Sequence, residues 1–139
     1  MSGAAVVSVT DAEGEWNIYH PSGGTPLPAL EGLRRALEKT FALPQFDAAD
    51  FAAAYVAVNK QSPGDMWFIN RGASWKTHCP AGVEWRYIVS VRHGDIHVVV
   101  CLVEPDTGHD THKFITSRYK AGRLDAMIVW AAREEKDRK

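Results

Sequence analysis

Glu84-Trp85-Arg86-Tyr87-Ile88-Val89-Ser90-Val91-Arg92-His93-Gly94-Asp95-Ile96-His97-Val98-Val99-Val100-Cys101-Leu102-Val103-Glu104 is the stretch on which the fold turns. Two runs rich in β-branched and aromatic residues surround a Gly-Asp pair, which reads as a β-hairpin over residues 84–104. Taking Gly94-Asp95 as a two-residue turn pairs His93 with Ile96 and sets the register. One face then gathers Trp85, Tyr87, Val89 and Val91 with Val98, Val100 and Leu102, so register and hydrophobic pattern agree. The other face is mixed: Arg86, Ile88, Ser90 and Arg92 lie opposite Val103, Cys101, Val99 and His97, with Arg92 across from His97. Antiparallel sheets commonly keep one face wet. This face is therefore either a half-solvated surface or a ligand or partner surface lined by two arginines and a histidine.

Outward from the hairpin, residues 4–10 and 15–20 read as a second hairpin joined around 11–14. Pro21-Ser22-Gly23-Gly24 breaks the chain. A helix follows, with Thr25 as N-cap, Pro26 or Pro28 in the first turn, a stripe of Leu30, Leu33, Leu37 and Phe41, and Pro44 closing it. Asp47 caps a second helix with Phe51, Ala54, Tyr55 and Val58 on its apolar face. Residues 66–70 form a strand, 71–82 an irregular connection and 111–117 a third strand of the meander after the turn 105–108. Residues 120–139 close the chain as a helix with Leu124, Met127, Ile128 and Ala131 inward. The expected fold is α+β: an antiparallel sheet, the hairpin 84–104 plus neighbouring strands, with helices packed on one face.

A length of 139 residues fits one domain, 1–139. No apolar run approaches the roughly 20 residues of a membrane helix, and the start of the chain is not a secretory signal. Two cysteines, Cys79 and Cys101, are too few for a disulfide framework and read as free thiols or a single bridge. A cytoplasmic, membrane-independent protein is expected. The net charge of −1 argues against a domain devoted to gripping nucleic acid. Residues 1–65 carry four basic and eight acidic side chains, and 66–139 carry twelve and nine, a modest dipole.

Five of the six histidines fall between 78 and 112. Cys101, His109 and His112 have the chemistry of zinc ligands, with His112 opposite Cys101 in the expected strand. No full ligand set emerges, and Cys101 reads equally as a small buried hydrophobe; neither a metal nor a cofactor is expected. His20-Pro21-Ser22 and His109-Asp110-Thr111 are His-x-Ser/Thr triplets of the kind used by two-histidine phosphoesterases. No nucleophile elbow, phosphate loop or dinucleotide fingerprint occurs. Trp67, Arg71, Trp75 and Lys76 interleave aromatic and basic groups, as partner anchors and base-stacking platforms do.

Trp85-Arg86-Tyr87, the hairpin, Lys113-Phe114 and the closing Ala131-Ala132-Arg133 resemble, in order and outline, the RelE-like ribonuclease toxins. The resemblance implies phosphate binding by Arg86, Arg92, Lys113 and Arg118, with His97 or His112 carrying a proton. The rival expectation is a non-catalytic protein-binding module of the inhibitor, immunity or accessory type. It would use Arg86, Ser90, Arg92 and His97 on the mixed face and Trp67, Arg71, Trp75 and Lys76 in the loop. Its partner would be a protein rather than nucleic acid, and the chain itself a monomer or homodimer.

Overall fold

The computed structural model describes residues 3–40, 46–69, 82–105 and 114–137. The chain begins with a tight hairpin, β1 (Ala5–Asp11) and β2 (Gly14–His20). Asp11 holds its turn, because one carboxylate oxygen accepts from the Glu13 and Gly14 amides at 2.8 and 3.2 Å. The other oxygen accepts from Ala48 N–H at 2.8 Å, where α2 (Ala48–Asn59) starts. That bond to Ala48, more than any other, holds the Asp11 carboxyl below its usual range. Asp47 is the N-cap, its carboxylate accepting from Ala49 N–H at 2.9 Å. Before it runs α1 (Pro26–Thr40), which buries Ala29, Leu30, Leu33 and Ala36 and keeps Leu37 half-buried; Phe41 and Pro44 lie outside the described residues.

The remaining elements are β3 (Trp67–Phe68), β4 (Trp85–Arg92), β5 (Asp95–Pro105), β6 (Phe114–Arg123) and α3 (Leu124–Asp137). The six strands form one sheet in the order β3-β2-β1-β4-β5-β6. The fold is α+β with the helices on a largely antiparallel sheet. One pair departs from the expected pattern: β1 and β4 run parallel, Ala5 beside Trp85 and Val9 beside Val89. β1 is thus the third strand from one edge, and Ala5, Val6, Val7, Ser8 and Val9 are buried on both faces. An apolar run without alternation is what a central strand of this kind requires.

The central hairpin corrects the expected register by two residues. Arg92 pairs with Asp95 and Ser90 with His97, so the turn is His93-Gly94 and not Gly94-Asp95. Both turn residues have positive φ, 53° and 80°, as a twist-matched type I′ turn demands, and Gly94 takes the second position without strain. A shift of two leaves every side chain on the face assigned to it. The last strand is displaced further. It starts at Phe114, opposite Pro105, and continues through Lys120 to Arg123, so α3 starts at Leu124 rather than 120. Completing the ladder beside β5 outweighs the helix propensity of Lys120-Ala121. β3 spans only Trp67 and Phe68 of the expected 66–70.

The helices cover Val7, Val9, Ile18, Tyr87, Val89, Ile96, Val98 and Val100, and contribute Leu30, Leu33, Phe51, Tyr55, Leu124 and Met127 to the same core. On the far side Ala4, Val6, Tyr19, Val83 and Val103 form a smaller apolar cluster. Among the described residues no helix is long and apolar enough to cross a membrane.

Gly24 joins the start of α1 to this sheet by close backbone approach. Its N–H donates to the Gly3 carbonyl at 2.8 Å, and its own carbonyl accepts from the buried Tyr87 hydroxyl at 2.6 Å. A Cβ at Gly24 would stand 2.5 Å from Ala5 Cβ and 2.7 Å from the Gly3 carbonyl oxygen. Neither neighbour is a flexible side-chain tip, so Gly24→Ala is expected to cost about 2–3 kcal/mol through backbone displacement. Urea denaturation reads this directly, as a lower midpoint at unchanged slope.

Candidate functional site

The face turned away from the helices brings Arg86, Ser90, Arg92 and His97 together, as alternation along β4 and β5 requires. They do not play equivalent parts. Arg86 is buried, and its guanidinium Nε–H donates to Ser8 Oγ at 3.0 Å. Its terminal nitrogen pairs with the Glu15 carboxylate at 3.1 Å. Ser8 in turn donates to Asn17 Oδ1 at 2.5 Å, and Asn17 Nδ2 donates back to Glu15 at 3.2 Å. Ser8, Asn17 and Arg86 are all buried on central strands, so this closed ring of hydrogen bonds satisfies groups that water cannot reach.

Arg92, Ser90 and His97 lie towards the turn end of the same face, and Arg118 joins them from β6. Arg118 is opposite Cys101, the position expected for His112; His112 itself lies outside the described residues. The register from the β5–β6 connection causes the change, because Pro105 pairs with Phe114 and the ladder runs unbroken from there to Cys101 and Arg118; a bulge follows, with Val100 paired to Lys120. Arg92 and Arg118 are exposed, and among the described residues neither has an ionic or hydrogen-bonding partner. Asp95, the residue opposite Arg92, has its carboxylate 3.7 Å from Arg123 instead. Positions 92, 97 and 118 follow a diagonal across three strands that spans about 20 Å along β5.

His97 sits between the two arginines, and its buried Nδ1 has no hydrogen-bond partner among the described residues. Burial first, and then the charges of Arg92 and Arg118, hold its pKa below the usual value, so the ring is neutral at pH 7. The Cys101 thiol is also buried, which pushes its pKa up against the opposing pull of Arg86 and Arg118. Among the described residues no three His, Cys, Asp or Glu side chains gather as metal ligands do.

Trp67 belongs to the same face at the far edge of the sheet, where its ring packs edge-on against Tyr19 with centroids 4.8 Å apart. Trp67 and Phe68 are 45% and 46% exposed, an apolar pair on the short strand β3. Arg71, Trp75 and Lys76 lie outside the described residues, as do Cys79, His109 and Lys113.

A polar hollow of about 340 Å³ on the helix side escaped the sequence reading except for its first triplet. His20, Ser22, Arg35, Tyr55, Asn59 and Asp65 line it. His20 Nε2 is 2.9 Å from the Tyr55 hydroxyl, and both side chains are buried. Burial lowers the His20 pKa to about 4, against a smaller upward pull from Asp65. A ring nitrogen engaged by Tyr55 and a pKa so far from 7 make His20 a poor proton carrier at neutral pH. No signal in the sequence links positions 20 and 55, which only the packing of α2 on β2 brings together.

The chain matches no known family model, no curated protein and no solved structure.

Proposed function

We propose that this chain is a non-catalytic binding module of the inhibitor, immunity or accessory type, which docks an acidic surface of a protein partner on the sheet face carrying Arg92, Ser90, His97 and Arg118. The observation that carries this reading is the pair of exposed arginines flanking a neutral histidine, with no carboxylate engaged by either among the described residues. Arginines at an interface steer an acidic partner and fix its register, and the exposed Trp67 on the same face adds an aromatic anchor. A RelE-like ribonuclease would need Arg86 for phosphate, whereas that guanidinium is engaged by Ser8 and Glu15.

Affinity capture with the tagged chain and with its Arg92→Glu/Arg118→Glu variant tests the reading. The native chain is expected to retain a protein partner that salt releases, and the charge-reversed chain to bind it at least about tenfold more weakly at unchanged circular dichroism. Equal retention by both chains overturns the reading. So does recovery of RNA that the native chain cleaves and a His97→Ala variant does not.

A further inference from the structure

A hollow of about 240 Å³ opens on the helix side of the molecule, between the first turn of α1 and the last turns of α3. Three rings wall it, each from a different element: Trp85 from β4, Tyr119 from β6 and Trp130 from α3. The rings stand at steep angles, Trp85 to Tyr119 at 73° with centroids 5.9 Å apart and Tyr119 to Trp130 at 59° and 5.7 Å. They form the sides of a corner and not a stack. Glu134 and Glu135 add two carboxylates to the lining, and the first turn of α1 with Ala131 supplies the rest.

Tyr119 follows Arg118, which pairs with Cys101 on the opposite face, so alternation along β6 turns Tyr119 to the helix side. With Arg118 paired to Cys101 and Lys120 to Val100, Tyr119 is the extra residue of β6, and its ring is set between two tryptophans. Tyr119 as a residue remains 42% exposed although two aromatic neighbours adjoin its ring.

The electrostatics of the hollow have one sign. Glu134 and Glu135 lie near the C-terminus of α3, whose unsatisfied carbonyls add negative potential. No lysine or arginine lines it among the described residues. The opposite wall is the N-terminus of α1, normally an anion site, but Pro26 and Pro28 remove two of its amide donors and Ala29 N–H is bonded to the Thr25 carbonyl. Aromatic faces and carboxylates without a competing cation select a positively charged, poorly hydrated group. The volume lies below the range of drug-sized pockets, which limits the occupant to a small head group.

We propose that this hollow is a binding site for a small quaternary ammonium compound of the choline type, lacking a carboxylate of its own, held by Trp85, Tyr119 and Trp130 and neutralised by Glu134 and Glu135. The site is separate from the arginine-bearing face and takes the opposite charge. Titration of the full chain with choline, followed by tryptophan fluorescence and by line-broadening of the ligand methyl proton signal, tests it. Saturable binding is expected, with the uncharged isostere 3,3-dimethylbutan-1-ol weaker by about tenfold. Tyr119→Leu is expected to weaken choline by about tenfold and Glu134→Gln/Glu135→Gln by several-fold, both at unchanged thermal stability. Equal binding of the neutral isostere, binding that survives Tyr119→Leu, or no saturation by choline overturns the assignment. So does uptake of a trimethyllysine peptide with none of free choline, which would make the hollow a protein-docking site.

Discussion

Arg86→Met is expected to lower stability by about 3 kcal/mol, the largest effect of any single substitution on the sheet face. Methionine fills the space but leaves Ser8 and Asn17, both buried, without the charged donor that closes their ring. The ion pair itself is the smaller part. The Glu15 side chain is 38% exposed, so water screens it, and Glu15→Gln should cost under about 1 kcal/mol. Chemical denaturation of the two variants separates the contributions. A loss below about 1 kcal/mol for Arg86→Met would show that the hydrogen-bonded ring is not what fixes β1, β2 and β4 together. Because Arg86 acts inside the fold, a folded Arg86 variant should still capture the partner that the Arg92→Glu/Arg118→Glu chain loses.

Acid should weaken the protein well above the range of ordinary carboxylates, and His20 is the reason. Its pKa is about 4 in the folded chain, because burial disfavours the imidazolium, and 6.5 in the unfolded chain. A lowered histidine pKa means that the unfolded state binds the extra proton between those values. The stability is fully present above pH 6.5 and is lost as pH falls towards 4, by about 3 kcal/mol in all. His97 is shifted in the same direction and adds to the trend, whereas Asp11 and Asp65, held low by hydrogen bonds, act only at more acid pH. Urea midpoints at pH 7 and pH 4.5 should differ accordingly, and His20→Gln, which can still meet the Tyr55 hydroxyl, should remove most of the difference. A midpoint that does not move in the native chain would refute the account.

The face assignments of the central hairpin were legible because alternation is local: Trp85, Tyr87 and Val89 could point only to one side and Arg86, Ile88 and Ser90 only to the other. The same held for Asp47, whose capping role depends on the next three residues and nothing else. Turn choice was not legible. His93-Gly94 and Gly94-Asp95 are both plausible two-residue turns, and the difference lies in whether positive φ at both positions suits the twist of the paired strands. The pocket walls were less legible still, since Trp85, Tyr119 and Trp130 come from β4, β6 and α3 and meet only when these are packed together.

Composition and periodicity, then, determined by themselves that this chain builds an α+β domain, with one sheet face apolar beneath the helices and the other mixed. Side-chain spacing of two along a strand and of three to four along a helix is set by backbone geometry, which every residue carries with it. Tertiary structure alone decided that β1 lies parallel to β4, that Arg86 is enclosed while Arg92 and Arg118 face solvent, and that Trp85, Tyr119 and Trp130 meet. Each of these depends on pairings between residues far apart in the chain, whose energies are settled by packing and the satisfaction of buried polar groups. An arginine bound by a serine 78 positions earlier carries no mark of it in its own neighbourhood.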